Sequence, residues 1–177
     1  MVEFKDFIDF FKFLTPSIVM LIVVVYLVGG HFRDNEKRQK MKIILDNKKL
    51  ITPLRLQAYE RLVLFLERIT PESLLMRSPN YPNKTNDEQH SELLNSIRSE
   101  FEHNLSQQLY VSAETWNSVK NAKNFTISMI NNVAKNLDNK APATQLSRKI
   151  LDAAMELEQP ITEKALNQIK REIQQLF

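Results

Sequence analysis

Pro16 to Phe32 reads PSIVMLIVVVYLVGGHF, seventeen residues without a single Asp, Glu, Lys or Arg. As a helix it would reach about 25 Å at about 1.5 Å per residue. That is the short end of what crosses a bilayer. A buried core helix is the competing reading. It is weakened by the β-branched, charge-free run from Ile18 to Val28 and by the cations that follow at once. A cleavable signal peptide fits poorly, because the residues before the run are acidic on balance and no A-x-A site follows it. The stretch therefore reads as an uncleaved transmembrane signal anchor over residues 16–32.

Charge is distributed in three blocks. Before the run stand Glu3, Asp6 and Asp9 against Lys5 and Lys12. From Arg33 to Lys49 there are seven cations against three acids, and residues 50–177 hold fifteen of each sign. The net charge of +3 thus belongs to the segment beside the anchor. Lys and Arg accumulate on the cytoplasmic side of a span, so the expected topology is single-pass in the inner membrane, with the N-terminus outside and the C-terminal domain cytoplasmic. A basic stretch next to lipid suits an anionic leaflet better than nucleic acid, and Arg33, Lys37, Arg38, Lys40 and Lys42 are the expected membrane-surface contacts.

Residues 1–15 form a Phe-rich lead-in, with Phe4, Phe7, Phe11 and Leu14 at helical spacing. Both an interfacial helix and the first turns of one membrane helix satisfy that pattern. Thr15-Pro16 reads as a helix start, with Thr as N-cap and Pro at the first helical position. Thr52-Pro53 repeats the signal, which divides a basic juxtamembrane stalk, residues 33–52, from a helical domain, residues 53–177.

Glycine decides the class of that domain. The chain has only Gly29 and Gly30, both at the end of the apolar run. Primed hairpin turns, phosphate cradles and nucleophile elbows depend on glycine. A glycine-free domain is expected to be all-α and not a nucleotide enzyme, and the absence of H-E-x-x-H, G-x-S-x-G and Walker-type motifs extends the expectation to no enzyme at all. Cysteine is absent, which removes disulfides, thiol catalysis and thiolate metal sites. No cofactor is expected.

Apolar periodicity places four to five bundle helices after Pro53. Leu54, Ala58, Leu62, Phe65 and Ile69 line the first, and Thr70-Pro71 starts a short turn through Arg77. Ser78 to Gln89 reads as a loop joining two hairpins. Ser91 to Leu109 carries Leu94, Ile97, Phe101, Leu105 and Leu109. Ser112 is the next N-cap, before a helix reaching about Leu137. Two amphipathic helices end the chain, over Leu146–Leu157 and Ile161–Leu176, and their short Glu158-Gln159-Pro160 link predicts an antiparallel pair.

The helix after Ser112 offers asparagine where charge pairs are usual: Asn117, Asn121, Asn124, Asn131 and Asn132 form a possible partner face. Asparagine is a poor helix former, so a protein interface would account for it. A compositional bias towards Asn, Lys and Ile would account for it equally well. Glu100-Phe101-Glu102-His103 has the E-x-x-H spacing of di-iron bundles, but those sites need two such motifs and two further carboxylates, and here there is one.

The segments PLRLQAYERLVLFLERI (53–69) and SEFEHNLSQQLYVSAETW (99–116), behind an N-terminal anchor, resemble an uncharacterised family of Bacteroidota single-pass membrane proteins with a helical cytoplasmic domain. That resemblance implies a bacterial inner-membrane setting and brings no catalytic residues. The expected function is a non-enzymatic accessory or scaffold subunit of an inner-membrane complex, working through helix-face contacts with other subunits. The alternative is a membrane-tethered module that binds anionic lipid, RNA or the ribosome through the basic stretch. A small-molecule substrate is not expected.

Overall fold

The computed structural model describes residues 2–79 and 81–176, with side chains in the first helix described at residues 14, 16, 18–26 and from 38 onward. The chain is all-helical over these residues. It runs α1 (Val2–Arg68), α2 (Pro71–Arg77), α3 (Asn86–His103), a 3-10 turn (Leu105–Leu109), α4 (Ala113–Ala134), α5 (Ala143–Met155) and α6 (Glu163–Gln174). It divides into two compact units, Met1–Ile51 and Thr52–Phe177.

The first unit is helix alone. α1 passes through Pro16 and Pro53 without a break, so neither Thr-Pro pair starts a helix as expected. Each proline forfeits one backbone hydrogen bond, at about 3 kcal/mol. A helix of 67 residues with long propagating runs on either side absorbs that loss. Thr52-Pro53 marks the boundary between the units instead. The lead-in is described only in its backbone, apart from Leu14, which is exposed. The side chains of Ser17 and of residues 27–32, part of the expected membrane span, lie outside the described residues. Among the described residues no helix is long and apolar enough to cross a membrane.

The second unit is a bundle around one core. Ala58, Tyr59, Leu62, Phe65 and Leu66 of α1 and Ile69 just after it are buried, a stripe at the spacing that keeps one helix face inward. α4 packs against α3, α5 and α6, and α5 packs against α3 and α2. Phe101 joins these layers. Its ring lies 5.7 Å from Phe65 and 5.4 Å from Trp116, the second pair stacked, with Lys123 Nζ 4.2 Å above it.

Three expectations are corrected here. First, α3 begins at Asn86 rather than Ser91, because Thr85 and Glu88 form a capping box: the Glu88 N–H donates to Thr85 Oγ1 (3.3 Å) and the Thr85 N–H to Glu88 Oε2 (2.8 Å). The loop before it is correspondingly short. Lys84 is buried in it, donating to Pro79 O (2.6 Å), Ser78 Oγ (3.0 Å) and the Glu92 carboxylate. In a domain without glycine, Asn83 (φ 65°) is the left-handed residue among the described residues of this loop, and asparagine tolerates that region well.

Second, α3 stops at His103, where the buried Asn104 turns back to donate to Glu100 O (2.8 Å). Leu105 and Leu109, expected in the buried stripe, then fall on the 3-10 turn and are exposed. Third, α5 and α6 do not form an antiparallel pair; α6 lies on α4. α5 is instead tied at its start to the first turn of α3. Asn86 Nδ2 donates to Asp138 O (2.8 Å), and Asn86 Oδ1 accepts from the Leu146 N–H (3.1 Å). Asn86 thus serves a helix whose own N-cap, Pro142, has no side chain to offer.

Candidate functional site

The densest polar cluster in the bundle is centred on Glu172 of α6, a buried carboxylate. Oε1 accepts from the Ser112 N–H (2.8 Å), the Tyr59 hydroxyl (2.8 Å) and Arg55 Nη2 (3.1 Å). Oε2 accepts from the Ser112 hydroxyl (2.7 Å) and the Thr115 hydroxyl. Arg55 also donates through Nε to Tyr110 O (3.0 Å) and through Nη2 to Tyr59 OH (2.8 Å). Three parts of the chain, α1, the start of α4 and α6, therefore meet on one carboxylate. Ser112 is the N-cap of α4 and accepts from the Thr115 N–H (3.1 Å), so the negative charge also sits where the α4 dipole favours it.

Burial pushes the Glu172 carboxyl up. The bonds from Ser112, Thr115 and Tyr59 outweigh it and hold the group below the usual glutamate range. Tyr59 moves upward, through burial and then through its bond to, and the charge of, Glu172. A general base needs a free lone pair aimed at substrate. Glu172 has five donors on two oxygens, and its task is to hold three elements together.

The open part of the bundle lies elsewhere, around the link between α5 and α6. A depression of about 580 Å³ is walled by α4 through Asn121 and Phe125 and by the link through Leu157, Pro160 and Ile161. Leu157, Pro160 and Ile161 also wall a second depression of about 260 Å³, beside Pro71. Met155 is shared between that one and a third of about 570 Å³, which reaches Leu75 and Leu151. Phe125 is 50% and Met155 84% exposed. The link is left uncovered because α5 and α6 both pack on α4 and scarcely on each other. The lining of the first depression is mixed, with Ala122, Phe125, Leu157, Pro160, Ile161 and Ala165 beside Ser118, Asn121, Glu156, Glu158, Gln159 and Lys164.

The residues expected as sites from the sequence fall as follows. Arg38, Lys40 and Lys42 are exposed on α1, and the side chains of Arg33 and Lys37 lie outside the described residues. Asn117, Asn121, Asn124 and Asn132 are exposed on α4. Asn131 is not free for a partner, because its Oδ1 is 2.8 Å from His90 Nε2. Only Asn121 reaches the open link region. Glu100 of the E-x-x-H spacing is taken by Arg68 (3.1 Å) and Arg77 (3.2 Å), and His103 is exposed.

Sequence reasoning missed Arg55 and Glu172, although a signal was present. Glu172 stands three residues after Ile169 and four before Leu176, inside the apolar stripe of α6, and Arg55 stands four before Tyr59 in that of α1. A charge at a stripe position needs a partner, and here the two stripes each carry one, of opposite sign.

No curated protein and no solved structure matches the chain. Residues 5–176 match the family of unknown function DUF7935, a span that takes in both compact units, and the chain belongs to that family.

Proposed function

We propose that this protein is a non-enzymatic scaffold or accessory subunit of an inner-membrane complex, held to the bilayer by the helix through residues 16–32 and presenting its bundle to partners on the cytoplasmic side. The carrying observation is the nine-residue run Ile18–Tyr26, in which every side chain is apolar or aromatic and between 47% and 80% exposed. Nine adjacent residues point in all directions around a helix. Protein packed on one side cannot cover them, and the hydrocarbon of a bilayer can. The family match covers the anchor segment together with the bundle, and the uncovered α5–α6 link supplies a surface for a partner.

Alkaline extraction of native membranes tests the anchor. The wild-type chain is expected to stay in the pellet, and Val23→Arg to shift towards the supernatant, since a central Arg costs about 2.5–3.5 kcal/mol on insertion scales. A wild-type chain that washes off would defeat the anchor reading. Crosslinking in native membranes, with identification of the captured proteins, tests the scaffold. A protein that purifies alone after mild detergent would defeat that part.

A second reading is favoured by one observation. Arg38, Lys42 and Lys49 are spaced four and seven residues apart and share one exposed helix face. Such a face can bind an anionic lipid surface at roughly 1 kcal/mol per cation. Vesicle binding that falls with added salt and disappears when these three become neutral would support it.

A further inference from the structure

The first unit carries a second apolar feature that neither reading uses. Ile43, Asn47 and Leu50 follow four-three spacing, and Ile44 and Ile51 stand seven apart beside them. Ile43, Ile44, Leu50 and Ile51 are 50–71% exposed. Asn47 lies in the middle of this stripe, and Lys40 closes it on the side of the anchor. Arg38, Lys42 and Lys49 lie on the opposite face, with Lys49 paired to Asp46 at 3.7 Å.

The stripe is open within the chain itself, so another body must cover it. Lipid is a poor cover. α1 is one unbroken helix from Val2 to Arg68. If its apolar run spans the bilayer, the stripe leaves the membrane along the same axis and cannot lie flat on the surface. A purely apolar protein groove would leave the Asn47 amide without partners, at a cost of about 1–3 kcal/mol. A second copy of the same helix satisfies it, because two amides facing each other in register supply one another's donor and acceptor. An apolar seam with one central asparagine is the pattern that fixes a parallel, in-register pair. The anchor forces the same orientation on both copies, and self-pairing through this stripe leaves the cations of Arg38, Lys42 and Lys49 pointing outward.

We propose that the juxtamembrane helix pairs in parallel with a second copy of the chain through Ile43, Asn47 and Leu50, with Ile44 and Ile51 flanking the seam. The inference rests on the anchor reading, since a seam of nine residues is short. Confinement in one bilayer raises the effective concentration of the two helices, so the short seam suffices. Pairing sets two α5–α6 link surfaces on one assembly, and a scaffold with two such surfaces binds a two-site partner more tightly than its single surface does.

The chain contains no cysteine, so single cysteines report the pairing directly. The full chain in native membranes, carrying Ile43→Cys, Asn47→Cys or Leu50→Cys, is expected to give a disulfide-linked dimer on mild oxidation. Lys42→Cys and Lys49→Cys, on the other face, are expected to give several-fold less. Disulfides need Cα atoms within about 7 Å, and only a parallel, in-register pair brings all three seam positions that close to their own copies, an antiparallel pair doing so at one position at most. Leu50→Glu, added to Ile43→Cys, is expected to abolish the dimer while the melting of the bundle stays unchanged. Equal yields on both faces, or no dimer from the seam positions in membranes that retain the protein after alkaline extraction, would overturn the pairing and leave the anchor standing. Protein that washes off the membrane yet still crosslinks at the seam would overturn the anchor and support the pairing.

Discussion

α1 holds two apolar stretches with opposite fates. From Ile18 to Tyr26 every side chain is exposed, while Ala58, Tyr59, Leu62, Phe65, Leu66 and Ile69 are all at 1% exposure or less. Residue types do not separate them, since both are rich in branched aliphatics with a tyrosine. Pattern does. In the second stretch Glu60, Arg61, Glu67 and Arg68 occupy the outer face, so protein on one side completes the burial. The first has no polar face, so one-sided packing can never complete it. The same helix is thus buried by its own domain at the second stretch and left exposed by its own chain at the first.

The largest expected effect sharpens that contrast at its buried end. Phe65→Ala removes a ring at 1% exposure that packs tilted against Phe101. It is expected to destabilise the bundle by about 3–5 kcal/mol, measured by denaturant melting. A loss below about 1 kcal/mol would show that this end of α1 is not part of the core.

Arg55 marks where α1 passes from exposed to buried, and Glu172 fixes that point. Glu172→Ala leaves Arg55 and the Ser112 cap without their carboxylate and is expected to cost about 3 kcal/mol. The acid dependence has a definite sign. The folded carboxyl lies below its ordinary value, so its contribution is present above the unfolded glutamate pKa of about 4.3 and is lost as pH falls through the lower folded value. Wild-type melting is expected to decline on acidification through that window, with the Glu172→Ala variant declining less. Parallel curves would remove Glu172 from the account.

How much of this was legible follows from the range of each interaction. Ser112 as a cap and Thr70-Pro71 as a stop and start are local signals, and both elements lie where the sequence puts them. The Thr85 and Glu88 capping box was equally local and was hidden by its polar neighbours, which read as loop. Arg55 and Glu172 are separated by 117 positions, and nothing between them states that they meet. The uncovered link has the same origin: Glu158-Gln159-Pro160 looks like a hairpin turn, yet the partners of α5 and α6 are chosen by Asn86, far upstream, and by the face of α4. Pro53 was misread for the opposite reason. Its local preference for a helix start is real but is worth less than the continuity of the helix around it.

Leu64 tests whether pattern or position along α1 decides burial. It lies inside the buried stretch but is 56% exposed. Leu64→Ala is expected to change stability by no more than about 0.5 kcal/mol, as for an ordinary surface substitution. A larger loss would mean that a partner, such as a second copy, covers this side of the helix in solution, and the loss would then grow with protein concentration.

The smallest effect belongs to the exposed stretch. Val23→Ala removes two methyl groups from a side chain that touches little of its own chain, being 49% exposed. The melting of the bundle is expected to be unchanged, because Val23 lies in the unit Met1–Ile51 and the core lies wholly in Thr52–Phe177. The comparison with Phe65 is then between two apolar truncations on one helix, one costing several kcal/mol and one costing nothing measurable. If Val23→Ala did lower the melting of the bundle, Ile18–Tyr26 would have to be covered by protein after all. The reason for assigning it to lipid would go, and with it the requirement that paired stalks be parallel.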